Sequence, residues 1–154
     1  MTTPGMSDHI VSESITVRAP PDTVFAILAD PRQHPRIDGS GSVQAVVRGP
    51  ERLVQDAEFG MDMKLLGVPY KIRNWVVEFE EDRLITWRHF GGPRWRYQLT
   101  PTEGGTQVTE SFDYSMCSAA RRWVIETTGF PSRNRAGIRA TLDKLKASAE
   151  ADAH

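Results

Sequence analysis

Arg94-Trp-Arg-Tyr-Gln-Leu-Thr-Pro-Thr-Glu-Gly-Gly-Thr-Gln-Val-Thr-Glu-Ser-Phe-Asp-Tyr-Ser-Met116 is the stretch that decides the fold. Its first part alternates, with Trp95, Tyr97 and Leu99 set against Arg94, Arg96 and Gln98. Its second part places Val108, Phe112, Tyr114 and Met116 in one row, with Glu110 as the polar exception. A period of two is that of a strand with one face buried. The Glu103-Gly104-Gly105 loop between the parts is the chemistry of an antiparallel hairpin. Strands over 94–100 and 106–116 follow.

Upstream, four more segments read as strands, at 43–48, 58–66, 70–80 and 83–90. Their expected turns are Gly49-Pro50, Gly67-Val-Pro69, Glu81-Asp82 and Gly91-Gly-Pro93. Phe59, Met61, Met63 and Leu65 share one face of the second of these. Segment 70–80 carries Tyr70, Ile72, Trp75 and Phe79; in 83–90, Ile85 and Trp87 share a face, and either Arg88 or His89 must turn inward. Earlier still, Val11, Ile15 and Val17 mark a strand over 9–18. Pro21 and Asp22 then open a short helix with Val24, Phe25, Ile27 and Leu28 on its apolar face. Asp30-Pro31 ends it, a second helical turn covers 31–38, and 39–42 is a Gly/Ser connector. Downstream of the hairpin the period becomes helical. A short helix covers 118–128, Gly129-Phe-Pro131 interrupts, and 132–149 is amphipathic with Asn134, Ile138, Leu142, Leu145 and Ala149 on one stripe.

The class is therefore α+β: a curved seven-stranded antiparallel sheet, two short helices after its first strand, and one long C-terminal helix to cover it. A helix about 10–12 Å wide cannot fill the concavity of such a sheet, so an internal pocket is expected. The 154 residues, with 19 Lys+Arg, 20 Asp+Glu and a net charge of −1, suit one globular domain, taken as 8–150 with flexible ends at 1–7 and 151–154. That balance argues against non-specific nucleic-acid binding. No run of about 18 apolar residues is present, so no integral membrane association is expected. With no signal-peptide pattern and with Cys117 as the single cysteine, a cytoplasmic location is expected.

The chain resembles the START-like, or Bet v 1-like, superfamily, in its polyketide cyclase/dehydrase and lipid-transport branch. The residues that carry this are Ile15-Thr-Val-Arg-Ala-Pro-Pro-Asp-Thr-Val-Phe25, similar to that family's opening strand and helix start, and Leu28-Ala-Asp-Pro-Arg32, similar to its helix end. Leu99-Thr-Pro-Thr-Glu-Gly-Gly-Thr-Gln-Val-Thr109 resembles its hairpin, and 134–146 its terminal helix. The resemblance implies a helix-grip fold, the sheet wrapped around the last helix over a deep cavity. It also implies a carrier, a sensor, a cyclase or a subunit of a larger assembly.

No phosphate loop, nucleophile elbow or metal-ligand spacing occurs, since His9, His34, His89 and His154 stand far apart; neither metal nor other cofactor is expected. The expected partner is a small hydrophobic ligand: a lipid, polyketide or aromatic metabolite. The residues expected to bind it are Phe59, Met61, Met63, Trp75, Trp87, Tyr97, Glu110, Phe112, Tyr114, Phe130 and Ile138, each equally readable as core packing. No catalytic residue is assigned. The cyclase alternative would use Glu110, His89 or Tyr114 as acid or base, with a salt bridge or a solvated edge as the plainer reading of Glu110. A third reading is a co-chaperone-like protein-interaction module, and a homodimer is left open. Arg121, Arg122, Arg133, Arg135 and Arg139 form a basic stretch that reads either as a docking patch or as solvated helix surface. Gly129 and Pro131 would let the preceding helix gate the pocket mouth.

Overall fold

The computed structural model describes residues 6–7, 9–40, 43–89 and 92–154. The expected ends of the connector, at 41–42, and of a strand and its turn, at 90–91, lie outside the described residues. The strands are β1 (Met6–Ser7), β2 (Ile10–Val17), β3 (Val43–Arg48), β4 (Glu58–Leu65), β5 (Val68–Glu80), β6 (Leu84–His89), β7 (Arg94–Thr102) and β8 (Gly105–Asp113). The helices are α1 (Pro21–Leu28), α2 (His34–Ile37), α3 (Ala119–Thr127) and α4 (Phe130–Ala153), with a 3₁₀ turn at Pro31–Gln33. All pairings are antiparallel, in the order β1-β2-β8-β7-β6-β5-β4-β3. The first long strand thus lies beside the last, and α1 and α2 lead the chain to the opposite edge.

The eighth strand is the two-residue β1, which pairs Met6 with Val11 and Ser7 with Ile10. Two residues carry no readable period, which is why seven strands were expected. α4 also starts two residues earlier than expected, because Gly129 takes the left-handed conformation (φ 77°) and Pro131 suits the first helical turn. It runs on to Ala153.

The β4–β5 turn is Leu66-Gly67 and not Gly67-Val-Pro69. Leu65 pairs with Val68, and φ is 51° at Leu66 and 81° at Gly67. Two consecutive positive φ values match the right-handed twist of the flanking strands, at a cost for a leucine. Leu66 is 89% exposed at this tip. β8 stops at Asp113, whose carboxylate accepts from the Ser115 amide (2.9 Å) and hydroxyl (2.6 Å), turning the chain. Met116 consequently leaves the apolar row and is 68% exposed.

α4 buries Ile138, Thr141, Leu142, Leu145 and Ala149, and packs most extensively on β2. Val17, Val24, Phe25, Leu28, Ile85, Leu99 and Val108 complete that end of the core. Gly105 is required where β8 meets β2: a Cβ there would stand 2.1 Å from the Val17 carbonyl oxygen. At the other end the core opens.

Candidate functional site: a polar-tipped cavity under the sheet

Between the sheet and α4 lies a cavity of about 1200 Å³. Of the residues expected to bind a ligand, Phe59, Met61, Met63, Trp87, Tyr97, Glu110, Phe112, Phe130 and Ile138 line it. β4 contributes the first three through its inward row, β6 and β7 contribute Trp87 and Tyr97, and α4 contributes Phe130 and Ile138. The aromatic rings form one wall: Trp87 and Tyr97 have centroids 5.4 Å apart, and Trp95 and Phe112 have centroids 4.9 Å apart.

Two expected residues do not line it. Trp75 lies on the outer face of β5, because Asn74 and Val76 are the buried neighbours, and the Arg88 guanidinium sits 5.3 Å from its ring centroid. Tyr114 follows the end of β8, so it escapes the strand alternation. It is buried against the Phe112 ring, and its hydroxyl donates to Glu126 Oε1 of α3 (3.2 Å). That carboxylate also meets His9 Nδ1 at 3.0 Å.

His89, not Arg88, turns into the cavity. Its two ring nitrogens are both engaged. Trp95 Nε1–H donates to His89 Nε2 (2.7 Å), which makes Nδ1 the protonated nitrogen, and Nδ1–H donates to Asn74 Oδ1 (2.5 Å). Burial pushes the imidazole down to about 4, so the ring is neutral near pH 7. A ring held in this way by two side chains is a structural strut and not a free base, which corrects the expectation of His89 as acid or base. Asn74, paired with His89 across β5 and β6, is itself buried.

His34, which no sequence pattern singles out, also lines the cavity. It stacks on Trp87 (centroids 4.8 Å) and donates from Nε2 to the Leu28 carbonyl (2.9 Å). Burial lowers its pKa. The contact joins α2 to the end of α1, a tertiary relation invisible to local pattern.

Glu110 is 3% exposed and stands directly across from Tyr97 on β7. Its Oε1 has no hydrogen-bond partner. Burial raises its carboxyl to about 8, the neighbouring Tyr97 hydroxyl pulls it back, and the Asp38 charge adds to the rise. Tyr97 is pushed well above the usual phenol range, chiefly by burial and then by Glu110. The salt-bridge reading of Glu110 therefore does not hold: no Lys or Arg pairs with it among the described residues.

The basic stretch divides. Arg135 and Arg139 bind Glu13 (2.7 Å and 3.1 Å), and Arg122 donates to the Cys117 carbonyl (2.6 Å). Arg121 and Arg133 line the cavity on its exposed side, with Arg133 5.5 Å from the Phe130 centroid.

Residues 8–150 match the family described as polyketide cyclase / dehydrase and lipid transport. The chain belongs to that family. Its fold is that of the START-like, or Bet v 1-like, superfamily. Among curated proteins it is 44% identical over 140 residues to the uncharacterized protein Rv0088 of Mycobacterium tuberculosis, covering 88% of this chain and 62% of that relative. The chain thus spans about three-fifths of that relative's length. Among solved structures, protein NE0264 of Nitrosomonas europaea superposes with a TM-score of 0.70 at 16% identity, covering 96% of this chain and 97% of that one. The AHSA1-like protein of Aeromonas hydrophila superposes with a TM-score of 0.67 at 19% identity, covering 93% of each chain. At these identities the structures share the fold alone. No described helix is long and apolar enough to cross a membrane.

Proposed function

We propose that this family member binds one small hydrophobic ligand in its cavity and acts as a carrier or sensor. The observation that supports this best is the roughly 1200 Å³ space walled by Phe59, Met61, Trp87, Trp95 and Phe112 and left unfilled by α4. Burial drives the binding: each CH₂ moved from water into such a cavity contributes roughly 0.8 kcal/mol. His89 and Asn74, held against Trp95, stiffen the wall and do not offer an acid–base pair. The test is native mass spectrometry with a thermal-shift screen of fatty acids and polyphenols. Retained mass and a raised melting temperature support the reading; no bound mass and no shift with any of them would sink it.

One observation favours a cyclase-type second reading. Glu110, with its unpartnered Oε1 and its proton retained near neutral pH, sits beside Tyr97 in the same cavity. In that reading Glu110 exchanges a proton with the substrate. Glu110→Gln would abolish turnover of a poly-β-keto substrate without loss of its binding, and unchanged turnover removes Glu110 as the acid or base.

A further inference from the structure

The cavity holds an acceptor without a donor. Two carboxylates lie across from one another on the inner face of β2 and β8, Glu13 and Glu110. Glu13 has its counter-charges: Arg135 and Arg139 of α4 hold its carboxyl below the usual range. Glu110 has none among the described residues, and its Oε1 is buried without a hydrogen bond. Leaving a buried carboxyl in that state costs stability that a structural role would not require.

A second carboxyl, Asp38, lines the same space and adds its charge to the environment of Glu110. The Ser40 amide (3.1 Å) and hydroxyl (2.6 Å) donate to Asp38 Oδ1, and the Val43 amide (3.0 Å) donates to Oδ2. Lys144 reaches Asp38 only at its backbone carbonyl (2.9 Å). The other titratable groups that line the cavity, besides its cations, are Tyr97 and Tyr70, whose phenols burial pushes above the usual range, and the imidazoles of His34 and His89, whose proton affinity burial lowers. The cationic side chains that line the cavity, Lys64, Arg121 and Arg133, are all solvent-exposed. Its interior is therefore acidic, rich in acceptors and walled by rings whose faces attract cations.

Resting on the ligand-binding reading above, we propose that the guest is an apolar or aromatic molecule bearing a protonated amine, its ammonium donating to Glu110 Oε1 among the rings of Trp87, Tyr97 and Phe112. A carboxylate head would meet two acids with no interior cation among the described residues to offset them. A hydroxyl head would satisfy the hydrogen bond but leave the charge of Asp38 and the proton on Glu110 as they are. An ammonium answers both, and its arrival displaces the Glu110 proton to solvent.

The test holds the ring constant and varies the head: naphthylethylamine, naphthylethanol and naphthylacetate, titrated by calorimetry on the intact protein. Since the amine binds ionised Glu110, its affinity should rise by up to about tenfold per pH unit between about pH 6 and pH 8. The alcohol should bind with no such slope and the acid weakest. Glu110→Gln should erase the slope and bring the amine down to the level of the alcohol measured on the same variant. The ranking of head groups on the unaltered protein needs no variant, so a misfolded Glu110→Gln chain does not obstruct the test. An alcohol that matches the amine across the range, or an amine preference that survives Glu110→Gln, overturns the proposal while the cavity reading stands. Failure of all three probes to bind overturns both.

Discussion

Glu110→Gln should stabilise the folded chain, and more so as pH rises. The folded carboxyl titrates at about 8 against an ordinary value of 4.5. Between those values the unfolded chain has lost this proton and the folded chain has kept it. Stability from this group therefore falls with pH, by about 1.4 kcal/mol per pH unit, to a total loss of roughly 4–5 kcal/mol by about pH 8. His89 acts in the opposite sense. Its folded value of about 4 lies below its ordinary 6.5, so stability falls as pH drops from 6.5 towards 4. The two slopes largely cancel between about pH 4.5 and 6.5, and the Glu110 decline shows alone above that. Urea denaturation at a series of pH values, with both chains, separates them: the difference between Glu110→Gln and the parent should widen from near zero at about pH 4.5 and level off above about pH 8. Two curves that run parallel across that range would refute the buried, unpaired carboxyl on which the reasoning rests.

Three further outcomes are expected. Gly39→Ala should destabilise by about 2–3 kcal/mol in denaturant melts, because its Cβ would stand 2.4 Å from the Thr141 amide nitrogen of α4. The ¹⁵N spectrum of His89 should show the Nδ1–H tautomer with no titration above about pH 5, and Trp95→Phe, which strips the donor from Nε2, should cost about 1–3 kcal/mol. Trp75→Ala should leave the affinity for any cavity ligand within about twofold while costing up to about 1 kcal/mol through the lost Arg88 contact, read by ligand titration beside a melt.

What the sequence made legible was whatever repeats locally. The stripe Ile138, Leu142, Leu145 and Ala149 is buried as its helical period predicts, and Phe59, Met61 and Met63 share an inward row as alternation predicts. Glu110 stood out for the same reason, as a charge inside an apolar row. Trp75 was misplaced because aromatic enrichment marks a strand without fixing its phase; the polar Asn74 on the buried side obscured which face was inward. Tyr114 was misplaced because Asp113 ends the strand by a side-chain turn that alternation does not register. His34 against Trp87, and the chain from Asn74 through His89 to Trp95, join residues from different elements, and single-sequence periodicity has no access to such pairs.

α3 has no buried residue, and Trp123 on it is 66% exposed; Ile125 is its half-buried hold on the core. A nine-residue helix is shorter than the roughly 12–15 residues that sustain one in water, so this segment owes its form to few contacts. Ser118 caps its start, the left-handed Gly129 separates it from α4, and Glu126 and Arg122 are its polar ties to His9, Tyr114 and Cys117. Arg121 and Ile125 of this segment border the cavity. On the ligand-binding reading, fraying of this one short helix would set the rate at which a guest comes and goes, and its amide protons should exchange orders of magnitude faster than those of Leu142 or Leu145.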